Sequence, residues 1–386
     1  MNVFNMDFIL DNQQELIKKT AREFANDILR PGVIERDEKS LFPKNEIIQM
    51  GELGFMGMMV PEKFGGSGLD TLSYCLALEE ISKVDASVGV IMSVNNSLVC
   101  NLLYKYGNED QKNTFLPKLA SGKSLGSFSL SEPQSGSDAS NMKTFAKRES
   151  SDFVINGTKN WVTNGTSSDI VILLCLTQKN VGYKGISAFI VEKTFDGLTT
   201  GNKENKLGIR GSDTCEIYFD NCKVPSKNLI SSEGEGFKIA LDILNGGRIG
   251  IATQALGIAQ ESLDRSIQYA KEREQFGKSI SDFGIIQSKI ANMAIKNEAS
   301  RLLIHKAAIL KDKGLEFSKE ASMAKHFSSE AAMSNALECV QIFGGYGYVK
   351  ETGVERLIRD AKITQIYEGT SEIQEKVIAK SLLKGD

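Results

Sequence analysis

The hydrophobic period of this chain changes twice along its length, and those two changes limit its fold more than any single motif does. From residue 12 to about 118, apolar residues recur at helical spacing; short β-rich runs follow, and long helical patterns return near residue 229. In the first region Leu16, Ala21, Phe24, Ala25, Ile28 and Leu29 make an apolar face that ends at Pro31. Asn45 caps a short helix through Met50, which Gly51 and Gly54 break, and Phe64–Gly68 is a glycine-rich loop. Thr71 opens a helix over Leu72–Val84. Val88–Tyr106 is apolar nearly all round, as a buried helix is. Its Ser93, Asn95, Asn96 and Asn101 then need partners inside the protein.

The character shifts near Gly122. Phe153–Ile155 and Asn160–Thr163 flank Asn156-Gly157, which predicts a β-hairpin. Ile170–Leu176, Ile186–Glu192 and Thr214–Phe219 add strands, and the all-β region ends near Pro225. Beyond Gly236, Phe237–Leu244, Ile249–Glu274, Phe283–Lys313 and Phe317–Phe343 predict long helices, followed by a last one over Glu372–Leu383. Three long helices and a C-terminal one suit a four-helix bundle. The expected organisation is multi-domain α and β: a helical domain over 1–118, a small β domain over 119–228 and a helical bundle over 229–386. A chain of 386 residues is long enough for two or three packed units.

Charge and cysteine usage remove several function classes. With 46 basic and 49 acidic residues the net charge is −3, which is no nucleic-acid footprint. Six cysteines without CxxC spacing, beside two histidines, form neither a zinc motif nor a disulfide framework, and a reducing compartment is expected. Met1–Asp11 carries no basic and apolar leader pattern, and no run approaches 18 uninterrupted apolar residues, so no membrane span is expected.

The densest chemistry lies at Ile366-Tyr367-Glu368-Gly369-Thr370-Ser371-Glu372-Ile373-Gln374. Ser371 with Gln374 reads as a capping box, which places Glu368 at a loop-to-helix junction where Gly369 permits close approach. A carboxylate there can remove a proton from a carbon acid; the same position also serves the helix dipole. Ser127–Asp138 is rich in hydroxyls around Pro133 and Gly136, suited to a phosphate or a ring edge or simply to a solvated turn. Trp161, the one tryptophan, is either core or a flat wall for a planar cofactor, with Thr163 beside it. Lys271–Gly277 ends a helix in charges, among which Arg273 can hold a pyrophosphate. Gln341–Tyr348 is an aromatic glycine-rich loop with no strand before it, so it is no dinucleotide fingerprint. His305 and His326 read as ordinary helix residues.

The blocks Leu130-Ser131-Glu132-Pro133 with Gly136-Ser137-Asp138, Trp161–Gly165, Arg273–Gly277, Gln341–Gly345 and Ile366–Thr370 stand in one order and cover nearly the whole chain. In that order the chain resembles the acyl-CoA dehydrogenase family. The resemblance implies a middle domain of small β-barrel-like form and FAD bound between it and the C-terminal bundle. It implies flavin contacts from Phe128, Leu130, Ser131, Gly136, Ser137, Trp161, Val162, Thr163, Thr370 and Ser371. Arg273, Gln275, Phe276, Gln341, Ile342, Gly344 and Gly345 match positions that reach flavin across a subunit interface, within a homotetramer built as a dimer of dimers. Glu368 falls on the catalytic base, and Ser137, Arg248 and Gly369 on acyl-CoA contacts.

The implied reaction is α,β-dehydrogenation of an acyl-CoA thioester, with the short-chain (butyryl-CoA) subgroup the nearest likeness. Electron-transferring flavoprotein is the implied acceptor. Gly247 stands where some relatives carry the base, and Gly89 where glutaryl-CoA members carry an arginine. Burial against substrate is expected to raise the Glu368 pKa against the pull of the helix N-terminus. An acyl-CoA oxidase, an enoyl-CoA reductase and a non-catalytic flavoprotein or binding module are the alternatives on the same fold. The compartment is bacterial cytoplasm or, with a transit peptide removed, mitochondrial matrix.

Overall fold

The computed structural model describes residues 9–384; most of the Met1–Asp11 leader reading lies outside them. The order α, β, α is observed. Helices α1 (Asn12–Phe24), α2 (Val33–Lys39), α3 (Lys44–Glu52), α4 (Thr71–Val84), α5 (Ala86–Ser93), α6 (Asn101–Tyr106) and α7 (Glu109–Ala120) precede the sheet. The apolar face near Pro31 does not stop there: π and 3-10 turns carry the chain on into α2, because a proline at the start of a helical turn lacks only an N–H that has no partner anyway. Leu16 and Ile28 of that face are exposed. No side chain caps α3, whose N-cap is Pro43, whereas Asp70 caps α4 through the Ser73 N–H at 2.7 Å.

Helices α5 and α6 and the π segment Val94–Cys100 between them form one continuous helix, Ala86–Tyr106. By length and composition it could cross a membrane, but 94% of its apolar window is buried inside the fold. Its buried Ser93, Asn95 and Asn96 have the partners that burial requires, whereas Asn101 is only half-buried and makes no side-chain hydrogen bond among the described residues. Asn95 Nδ2 donates to the Met56 and Leu119 carbonyls, and its Oδ1 accepts from the Gly126 N–H at 3.0 Å. Asn96 donates to Phe55 O and accepts from Met58 N.

Eight strands form one sheet: β1 (Gly126–Ser129), β2 (Phe145–Glu149), β3 (Asp152–Thr163), β4 (Ile170–Leu176), β5 (Ile186–Glu192), β6 (Leu198–Thr200), β7 (Thr214–Pro225) and β8 (Leu229–Ile230). The order is β6-β7-β3-β2-β4-β5-β8, with β1 parallel to β4. The Asn156-Gly157 hairpin is not formed. Both residues lie inside the single strand β3, whose register against β7 shifts between Ile155 and Gly157. Gly157 has φ +149°, and a Cβ there would stand 2.5 Å from Thr144 Oγ1, so the glycine serves a bulge. The hairpin turn is at Ser150-Ser151, between paired Glu149 and Asp152.

The C-terminal helices are α8 (Gly236–Glu272), α9 (Gly284–Asp312) and α10 (Ser318–Phe343). A two-strand ribbon β9 (Glu274–Gln275) and β10 (Lys278–Ser279) stands between α8 and α9, and short α11 (Gly345–Tyr348), α12 (Glu355–Thr364) and α13 (Ser371–Lys384) follow. Phe237–Leu244 and Ile249–Glu274 are one helix, α8, which continues through Gly246-Gly247. α10 packs on α8, α9 and α13. The three regions are tied together by ion pairs and main-chain contacts: Arg359 of α12 pairs with Asp37 of α2, and Asp360 accepts from Ile209 N.

Candidate active site

The turn between α12 and α13 is built by its own backbone. Ile366 and Tyr367 donate to Ile363 O, and Ser371 N closes the turn on Gln365 O at 3.0 Å. Glu368 and Gly369 between them both take left-handed backbone, φ +50° and +94°. Such a conformation costs a non-glycine residue about 1–2 kcal/mol, so the surroundings must hold it. Gln374 Nε2 donates to Glu368 O and Gly369 O, and Lys325 Nζ donates to Gly369 O at 2.7 Å. A Cβ on Gly369 would meet Gln374 Nε2 at 2.5 Å, which fixes glycine there. The expected Ser371–Gln374 capping box is absent: Thr370 is the cap, with its Oγ1 accepting from Ile373 N, and Gln374 braces the turn instead.

Glu368 points from this turn toward α8 and the central helix. A Cβ built on Gly247 would lie 2.1 Å from Glu368 Oε2 and 2.7 Å from a Leu98 methyl. Position 247 must therefore be glycine for the Glu368 carboxylate to stand where it does. Oε2 is buried and has no hydrogen-bond partner. Burial pushes the carboxyl up to about 7, against the downward pull of the Lys325 and Arg248 cations. Desolvation wins over attraction even before substrate enters. Tyr367 anchors the turn: its hydroxyl donates to Gln254 Oε1 of α8, and Gln254 Nε2 donates to Ala86 O. Arg248, nearly buried, donates to Asn245 and Ser322, while its Nε has no partner. One turn further along α8, Gly250 leaves room for Tyr74 and Ser93, whose hydroxyls are 3.0 Å apart. Gly89 packs on Ser82 of α4.

The residues expected around flavin fall into two groups. Phe128, Leu130 and Ser131 lie beside Trp161, Val162 and Thr163, since Asn160 N donates to Ser131 O. Behind them the buried pair Lys159–Glu132 pins the loop, with Lys159 Nζ on Leu130 O and Glu132 accepting from Lys143 N and Thr144 N. Gly136 and Ser137 are exposed on that loop. The second group stands at the end of α8 and α10, where Arg273 lies over the Tyr346 ring and Gln275 and Phe276 form the ribbon tip. Gln341, Gly344 and Gly345 are exposed nearby, and nothing stands within 4 Å of a Cβ on either glycine. No hydrogen bond or ring contact joins the two groups among the described residues. The side chains of Val162 and Ile342 are packed inside, which leaves only their main chain for a bound group. Ser371 Oγ donates to Glu330.

The first group fits a planar cofactor. Trp161 is 62% exposed at φ +58°, an indole held outward by strained backbone. On β1 of the same sheet, Ser129 Oγ is buried without a partner. Lys325 was not visible as a site residue in the sequence. The signal it did leave is a lysine among small residues, Ala321, Ala324 and Ser328, all of which are buried with it.

The N-terminal, middle and C-terminal domain families of acyl-CoA dehydrogenases match residues 11–123, 127–222 and 234–383. The rat mitochondrial short-chain specific acyl-CoA dehydrogenase is 48% identical over 97% of this chain and 91% of its own. Butyryl-CoA dehydrogenase from Megasphaera elsdenii superposes with a TM-score of 0.96 at 46% identity, covering 98% of this chain and all of that one. A chain solved in work on the electron transferring flavoprotein of Acidaminococcus fermentans reaches 0.97 at 47% identity, over 98% of this chain and 100% of that chain. The chain belongs to the acyl-CoA dehydrogenase family, FAD-dependent oxidoreductases that act on acyl-CoA thioesters.

Proposed function

We propose that Glu368 removes the α-proton of a short-chain acyl-CoA thioester and so begins its oxidation to the trans-2-enoyl-CoA. The observation that carries this reading is Glu368 Oε2, a buried carboxylate oxygen with no partner, facing the gap that Gly247 leaves open. A carboxyl titrating near neutrality is matched to proton abstraction from a weak carbon acid. The Glu368 main-chain N–H, which makes no hydrogen bond among the described residues, is the donor for the thioester oxygen as charge builds there. Bound FAD supplies the acceptor for the hydride that leaves the β-carbon. Phe128, Leu130, Ser131, Gly136, Ser137, Trp161 and Thr163 would hold it on one chain. Thr370 and Ser371 lie on the base's own turn, and Arg273, Gln275, Phe276, Gln341, Gly344 and Gly345 would come from a neighbouring chain of a homotetramer. Arg248, Ser137 and Gly369 would meet the acyl-CoA.

The names of the rat and Megasphaera relatives support a short acyl group, and the Acidaminococcus structure supports electron-transferring flavoprotein as acceptor. The compartment follows the source, cytoplasm or mitochondrial matrix. Anaerobic titration with butyryl-CoA, followed through the flavin absorbance, tests the reading. Bleaching by butyryl-CoA is expected, and Glu368→Gln should keep its flavin while turnover falls by about 10²–10⁴-fold. A Glu368→Gln enzyme with near-normal turnover would refute the assignment.

A further inference from the structure

Lys325 is fully buried in α10, yet it carries a cation to the turn that holds Glu368. Its Nζ is 2.7 Å from Gly369 O, so it is bonded to the main chain immediately after the base. Gln374 donates to the same carbonyl at 2.8 Å, and the two donors together hold the left-handed pair Glu368-Gly369. Four charged groups face Lys325: Glu368 on the turn, Arg248 on α8, Glu330 on its own helix and Glu372 on α13. Glu368 in turn is faced by Lys325 and Arg248. Arg248 is committed to Asn245 and Ser322, and among the described residues Lys325 is the one cation hydrogen-bonded to the Glu368-Gly369 main chain.

We propose that Lys325 is a positioning residue for the base: its ammonium, bonded to Gly369 O, fixes the Glu368-Gly369 turn and keeps the Glu368 carboxylate ionised enough to accept a proton. This deepens the reading of Glu368 as base and rests on it. Attraction between buried opposite charges favours both charged forms, so loss of either must shift the titration of the other. Burial has already brought the Lys325 ammonium down to about 8, which places both transitions within reach of ordinary buffers.

Two measurements test the coupling. In Lys325→Met holoenzyme the acid limb of the kcat/KM profile should move up by about one pH unit, which is about a tenfold loss at a pH on the limb, while flavin binding is kept. A folded, flavin-bound Lys325→Met with an unmoved limb overturns the proposal. Because that variant removes a buried charged side chain, the reciprocal experiment keeps the lysine and uses Glu368→Gln, with lysine side-chain nitrogens observed by NMR against pH. One buried lysine should titrate lower in Glu368→Gln than in the wild type. If every lysine midpoint stays in place, the coupling does not exist. Coupling observed in a protein that ignores acyl-CoA would instead sink the reading of Glu368 as base and leave the Lys325–Glu368 pairing standing.

Discussion

Glu368 holds an uncommon backbone conformation, braced by Gln374 and Lys325, and an uncommon protonation state, and Gly247 gives its carboxylate the room to stand buried. Gly247→Ala should fold, since α8 is continuous at that point, but its methyl occupies the place of Oε2. The carboxylate must swing away, and a displacement on the order of 1 Å costs about 10²-fold in turnover. Steady-state kinetics with butyryl-CoA, alongside a flavin spectrum, checks this. The raised carboxyl also sets a pH rule. As the proposed base, Glu368 must be ionised to act, so kcat/KM should climb as pH rises through about 7 and level above it. Stability runs the other way. A carboxyl that is harder to ionise in the folded protein costs nothing below its unfolded value near 4.5 and its full penalty above about 7. Glu368→Gln should therefore raise the melting temperature at pH 8 and lose that advantage by pH 5. At this scale the sequence marks Glu368 as the candidate base through its neighbours, a tyrosine, a glycine and a helix start. It does not show Lys325, because a lysine 43 positions upstream has no local pattern linking it to Glu368.

Elements were legible where one periodicity ran undisturbed and illegible where local chemistry pointed elsewhere. Strands β4 and β5 were read with their observed limits, because both are continuous apolar runs bounded by turn residues. β1 was missed: Gly126-Ser127-Phe128-Ser129 looks like a hydroxyl-rich loop until β4 pairs with it. Asn156-Gly157 was misassigned because the residues that favour a hairpin turn also favour a bulge, and only pairing with β7 separates the two. Gly157→Ala tests the bulge. Its Cβ would press on Thr144 in backbone that suits glycine alone, so stability should fall by about 1–3 kcal/mol in urea unfolding, without loss of the sheet signal. A neutral effect would mean that the strand relaxes at no cost.

The whole molecule leaves apolar surface that one chain does not use. On α9, Ile285, Ile295 and Leu302 are exposed, and Phe276 at the ribbon tip is 94% exposed. Exposed apolar surface of this kind suits contact with another chain, and the residues proposed to reach flavin across a subunit interface, Arg273 to Phe276, stand beside it. If the proposed homotetramer forms through this face, Ile295→Asp should shift the species seen by size-exclusion light scattering from four chains to fewer and weaken flavin retention in parallel. An unchanged four-chain species would remove this face from the assembly. The order of three regions was readable from the sequence, because the hydrophobic period reports it directly. The partner faces were not, since an exposed isoleucine on a helix and a buried one look alike in a sequence.

Asn95 gives the molecule an order of assembly. It sits in the π segment at the middle of the central helix, and it bonds on both sides of that helix: its Nδ2 donates to Met56 O in the turn after α3 and to Leu119 O of α7, and its Oδ1 accepts from the N–H of Gly126, the first residue of the sheet. During synthesis the helix Ala86–Tyr106 is complete in sequence well before Gly126 emerges from the ribosome. Until then the Asn95 carbonyl oxygen has no protein partner and must stay hydrated, which keeps the surface that will become the most buried part of the protein open to water. The helical region thus waits for the first strand. A nascent chain stopped at Ala120 should hold its central helix loosely enough for proteases to cut, whereas one extended past β4, which pairs with β1, should resist them.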